Sequence, residues 1–166
     1  MDELALAEED LAAHLRMVAG YQGARPGWAY GSVEALMLAE GRWCTPAPWP
    51  GGGAPPGAPD RCYPEAAEWA ADGALAYVEG WAWAGAPVEH AWCTGADGTA
   101  LDVTWSRPGR AYLGLPIRAE DAVRLMSETH RPLLHGPRGL PTYLAHVWCR
   151  DGIPQGLRVE VGRPVT

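Results

Sequence analysis

The alternation running through residues 74–105 leaves few folds open to this chain. In 74–83 (ALAYVEGWAW), Leu75, Tyr77, Glu79, Trp81 and Trp83 fall on one face, and Ala76, Val78, Gly80 and Ala82 on the other. Side chains on a strand alternate with period two, so this stretch predicts a strand. Residues 88–94 (VEHAWCT) and 99–105 (TALDVTW) predict two more, joined around Gly95–Gly98, where Asp97-Gly98 signals a hairpin turn. Residues 111–117 (AYLGLPI) add a short strand. Strands joined by such short connections pair antiparallel.

Helical spacing lies on either side of this block. Leu4, Leu11, Leu15 and Val18 predict a helix over 2–19, with acidic residues in its first turns and Gly20 as its stop. A short helix fits 33–40, between Ser32 as N-cap and Gly41. A third fits 64–72, with Pro64 in its first turn and Gly73 at its end, and a fourth fits 119–129, with Pro132 beyond it. The tail predicts strands at 142–149 (TYLAHVWC) and 157–161 (LRVEV). Residues 44–60, CTPAPWPGGGAPPGAPD, hold six of the 16 Pro and four of the 21 Gly and read as a long irregular surface loop. The expectation is a single α+β domain over 1–166, with N-terminal helices packed on a mostly antiparallel sheet.

Charge and composition exclude some functions. The net charge is −7, and all 13 basic residues are scattered arginines. Nucleic-acid binders draw affinity from a basic stripe, so no nucleic-acid partner is expected. No apolar run approaches the ~20 residues of a membrane span. The acidic start (Met1, Asp2, Glu3) lacks the order of a signal peptide, so the expected location is the cytoplasm. Cys44, Cys62, Cys93 and Cys149 form no CxxC pair and read as free thiols. Nine tryptophans supply the large aromatic volume of a chain without phenylalanine.

Thiol catalysis needs a nucleophile, a base within hydrogen-bond reach, and a group that holds the base. Cys62, His90 and Asp102 supply these in order, each on a different element. Cys62 sits where a loop enters a helix, where free N–H groups and the helix dipole are expected to lower a thiol pKa. Cys62 is followed by YPEA, His90 by Ala91-Trp92, and Asp102 by Val103-Thr104-Trp105. The series RCYPEA, YVEGWA, VEHAW, DGTALDVTW, over residues 61–105, resembles the transglutaminase-like, papain-related superfamily of cysteine enzymes. AYLGLPI resembles the segment that follows in small phage-type and bacterial members.

That resemblance implies attack of Cys62 on an amide or thioester carbon, with His90 as base and Asp102 fixing its tautomer. The Cys62 backbone N–H would form half of an oxyanion hole. The acyl-enzyme would pass to water or to an amine. It implies a peptide, protein or small acyl substrate and no cofactor or metal, and it leaves the oligomeric state open. Glu79, a carboxylate on an aromatic face, is a candidate substrate contact, together with Trp92 and Trp105.

Side-chain parity gives a test internal to the chain. A two-residue Asp97-Gly98 turn would put His90 and Asp102 on opposite faces, so an odd-length loop or a bulge is expected. Two other readings compete with the enzyme. One is a catalytically inactive interaction module with the same fold; the other is a metal-dependent hydrolase using histidines with Asp102 or Glu89. His130 and His135 are expected to face solvent beside Pro132, and His146 to lie on a sheet surface.

Overall fold

The computed structural model describes residues 2–166. Among them, five α-helices and six strands follow in the order α1 (Glu3–Gln22), α2 (Val33–Glu40), β1 (Arg42–Pro46), α3 (Cys62–Gly73), β2 (Ala76–Trp83), β3 (Pro87–Thr94), β4 (Thr99–Leu101), β5 (Ala111–Arg118), α4 (Ala119–Thr129), α5 (Tyr143–Asp151) and β6 (Arg163–Pro164). The class is mixed α+β, as the two periodicities require. Among the described residues, no helix is long and apolar enough to cross a membrane.

Local signals set most helix ends. Asp2 accepts a hydrogen bond from the Leu4 N–H at the start of α1, and the Ser32 hydroxyl accepts one from Ala35 N–H at the start of α2. α1 buries Ala7, Leu11 and Leu15 as one stripe. It runs through Gly20 to Gln22 and stops at Gly23, whose φ of 70° is left-handed. Gly20 was expected to be the stop, but a helix packed by its apolar stripe tolerates the ~1 kcal/mol cost of one internal glycine.

The sheet runs in the order β4-β3-β2-β5-β1-β6, and β1 also pairs in parallel with β4, which closes the first five strands into a barrel. β6 shares that edge of β1, pairing with Arg42 and Trp43, while β4 pairs with Thr45 and Pro46. All other pairings are antiparallel. Alternation now means inside versus outside. Cys44, Val78, Ala82, Trp92, Ala100 and Tyr112 fill the barrel. Tyr77, Trp81, Ala91, Cys93, Leu113 and Leu115 point outward into the core shared with the helices. α3 lies on this outer face, where the Cys93 thiol donates to the Ala66 carbonyl.

Three sequence expectations are corrected. The start of the Pro/Gly stretch is not irregular, since 42–46 forms β1, and the barrel could not close without it. Residues 142–149 form α5 and not a strand: Thr142 caps it through Ala145 N–H, and it buries Ala145, Trp148 and Cys149. Over eight residues, that three- and four-residue spacing also satisfies an alternating pattern. Residues 157–161 form no strand beyond a single bridge, Arg158 to Ile117.

Candidate active site

The hairpin connecting β3 and β4 decides which side chains meet. Cys93 pairs with Leu101 and Thr94 with Ala100, so the next positions out, 95 and 99, leave three residues, 96–98, as the connection. Gly98 donates its N–H to the Gly95 carbonyl and has a φ of 74°, a conformation open to glycine at little cost. The Asp97 carboxylate accepts from both the N–H and the hydroxyl of Thr99, which fixes the turn. With this odd-length connection the inward face of β3, which carries His90 and Trp92, comes opposite position 102 just past the end of β4.

β4 stops at Leu101 because Asp102 bends the chain. Its Oδ1 accepts from the N–H groups of Thr104 at 3.1 Å and Trp105 at 3.0 Å, an Asx-type turn. Its Oδ2 meets His90 Nε2 at 2.8 Å and accepts the Tyr112 hydroxyl at 2.7 Å. The Tyr112 oxygen in turn accepts the Gly109 N–H. Trp105 stacks on the imidazole, with centroids 4.0 Å apart and planes 24° apart. His90 and Asp102 are only 1% and 4% exposed. The structure therefore brings His90 and Asp102 into a buried, directly bonded pair. Asp102 occupies Nε2, which leaves Nδ1 as the nitrogen through which His90 can take a proton.

Burial alone would raise the Asp102 pKa. The hydrogen bond and charge of His90, with the bonds from Tyr112 and Trp105, outweigh it and hold the carboxyl below its ordinary range. Asp102 is thus held ionised beside the imidazole.

Cys62 is the first residue of α3 and the one cysteine among the four that is not buried. The expected lowering of its thiol pKa is not found. Burial pushes the thiol up to about 11, and the Glu79 and Asp102 carboxylates add to the rise. The backbone N–H groups of Ala91 and Tyr63 oppose it without cancelling it. A helix N-terminus stabilises a thiolate only where desolvation and nearby anions do not exceed it, and here they do. Among the described residues no hydrogen bond joins the Cys62 thiol to His90, so of the three expected residues the structure bonds His90 and Asp102 alone.

The candidate substrate contacts fare differently. Trp92 is 0% exposed inside the barrel and Glu79 is 1% exposed on its outer face, so neither presents surface to a ligand. Glu79 accepts from the Tyr77 hydroxyl and from the backbone N–H groups of Leu133, Leu134 and His135. Burial would raise its pKa, but His135 and these donors hold it low. It pins the 133–135 segment to β2. Trp105 is half-buried against His90. His135 is 5% exposed and packs edge-on against Trp81, where solvent exposure was expected. His146 lies on α5, edge-on to Trp28.

Tyr112 and Thr104 were not picked out from the sequence. For Thr104 a signal existed, because Asp followed two residues later by Thr is a turn signature. Among the described residues, no group of three or more His, Cys, Asp or Glu side chains is arranged to hold a metal ion. No family model, curated protein or solved structure matches the chain.

Proposed function

We propose that the chain carries out cysteine-dependent acyl chemistry, with Cys62 as nucleophile, His90 as base and Asp102 as the group that orients the base. The observation that carries this reading is the buried His90–Asp102 pair at 2.8 Å, completed by Tyr112 and the 102–105 turn. A carboxylate on Nε2 fixes the tautomer that leaves a lone pair on Nδ1 and supports the imidazolium once it forms. The resemblance of RCYPEA, VEHAW and DGTALDVTW to transglutaminase-like enzymes points the same way.

The thiol, at about 11, is protonated near neutral pH, so the nucleophile is made during attack. The Cys62 sulfur bonds to the acyl carbon while His90 Nδ1 takes the thiol proton. The tetrahedral oxyanion is met by the Cys62 N–H at the first turn of α3. It collapses as the amine or thiol leaves with the proton from His90. Water or a second amine, deprotonated by His90, then releases the acyl group.

The test is alkylation of the folded protein by iodoacetamide, with mass-spectrometric site mapping. Cys62 should label ahead of Cys44, Cys93 and Cys149, but their burial alone would give that order. The decisive comparison is His90→Ala, which should slow Cys62 labelling by about a hundredfold or more. An unchanged rate would favour the second reading, an interaction module that keeps the fold and uses the pair as a structural hydrogen bond. The burial of His90, 1% exposed, is the observation on that side.

A further inference from the structure

A second cleft lies between the N-terminal helices, α5 and the outer face of β2 and β3, and the Cys62–His90–Asp102 set does not line it. His135 forms part of its wall, and neither ring nitrogen of this buried histidine has a hydrogen-bond partner. Buried polar atoms are ordinarily paired, so an orphaned imidazole on a cleft wall calls for a ligand atom. Its Nδ1 lies 3.3 Å from Glu79 Oε1, an oxygen already accepting from Leu134 and His135 N–H. A ring proton on Nδ1, facing the Glu79 carboxylate, leaves Nε2 as the acceptor. The missing partner is a donor.

Charge and shape narrow the donor further. Glu34 and Glu89 line the cleft against one arginine, Arg25, and the Glu79 carboxylate stands behind His135. Gln22 already bonds Glu34, which leaves Glu89 as the principal wall carboxylate. Trp28 and Trp81 contribute rings, and the Arg25 guanidinium sits 4.7 Å from the Trp28 centroid, so one cation already rests on this wall. The cavity volume is about 70 Å³, room for the head of a small molecule.

We propose that this cleft binds a primary alkylammonium group, with His135 Nε2 and the Glu89 carboxylate accepting its N–H donors and Trp81 covering its stem. The site stands apart from the proposed thiol chemistry, and its test reads binding alone. The ¹⁵N-labelled full chain is titrated with n-butylammonium and followed by NMR at the Trp28 and Trp81 indole N–H signals and at the His135 ring. Saturable shifts are expected. Tetramethylammonium, a cation without N–H donors, should bind at least about tenfold more weakly, and butyrate should not bind. Glu89→Gln, a half-buried change that leaves the fold alone, should weaken butylammonium by about tenfold or more, as should His135→Phe. If His135→Phe does not fold, Glu89→Gln decides. Absence of saturation, butyrate or tetramethylammonium binding as tightly, or undiminished binding in Glu89→Gln would overturn the proposal.

Discussion

Asp102 and Glu79 are two buried carboxylates that solve the same problem by different means. Each stays ionised because donors converge on both of its oxygens, and an ionised group in an apolar setting is tolerable only when so paired. Glu79 uses mostly backbone N–H groups and so fixes a loop. Asp102 adds an imidazole and a phenol to two backbone N–H groups and so fixes side chains as well as its own turn. Asp102→Asn should separate charge from shape. The amide can donate to Nε2 and force the ring proton onto Nδ1, where it blocks the proposed base. Cys62 labelling should then fall about as far as in His90→Ala, and a rate near wild type would contradict the assigned tautomer. Tyr112→Phe removes one donor from Asp102 and the hydroxyl that accepts the Gly109 N–H, while the His90 contact remains. It should cost about 1–3 kcal/mol in urea unfolding and slow labelling far less than Asp102→Asn.

At the scale of elements, the barrel depends on two glycines side by side. Gly80 on β2 pairs with both His90 on β3 and Gly114 on β5. A Cβ at Gly80 would stand 2.1 Å from the Leu113 carbonyl oxygen and 2.5 Å from Gly114 Cα, and backbone cannot yield as a side chain can. Gly80→Ala should destabilise by about 3 kcal/mol, the upper end of overpacking costs, read as a lower urea midpoint. Gly20→Ala is the counterpart, since nothing lies within 4 Å of a Cβ there, and it should stabilise α1 by about 0.5–1 kcal/mol. An equal effect of the two would refute the steric argument. The same contrast explains what could be read from the sequence. β2, β3, β5, α2 and α4 follow from local periodicity and caps, and the odd-length hairpin follows from parity. β1 was invisible because its strand status comes from partners 54 to 72 residues away, at Thr99 and Gly114, inside a stretch that looks irregular by itself. α5 was misread because eight residues cannot separate the two periods. The His90–Asp102 pair was legible because both lie in one hairpin. The burial of His135 was not, because it depends on Glu79 gathering a loop 54 to 56 residues away.

For the whole molecule, the buried ionisable groups imply a stability that falls off on both sides of neutrality. On the acid side, Glu79 and Asp102 have folded pKa values below their unfolded ones. As pH drops, the unfolded chain takes up protons at these sites before the folded one does, so their contribution is present above the unfolded values and lost on the way down. On the alkaline side, burial raises Cys62 to about 11 and Cys93 to about 12. Above the ordinary thiol range of roughly 8.5, the unfolded chain releases protons that the folded one retains, so stability falls as pH climbs toward those values. Urea midpoints measured across pH should therefore form a plateau between about pH 5 and 8, declining below about pH 4 and above about pH 9. Glu79→Gln should lower the plateau and flatten the acid limb, because the group that takes up the proton is gone. Cys93→Ala should flatten the alkaline limb, leaving Cys62 to supply what slope remains. An acid limb as steep in Glu79→Gln as in the parent would mean that carboxylates other than the buried pair carry the dependence, and that the hydrogen bonds gathered on Glu79 do not hold its charge in the folded state.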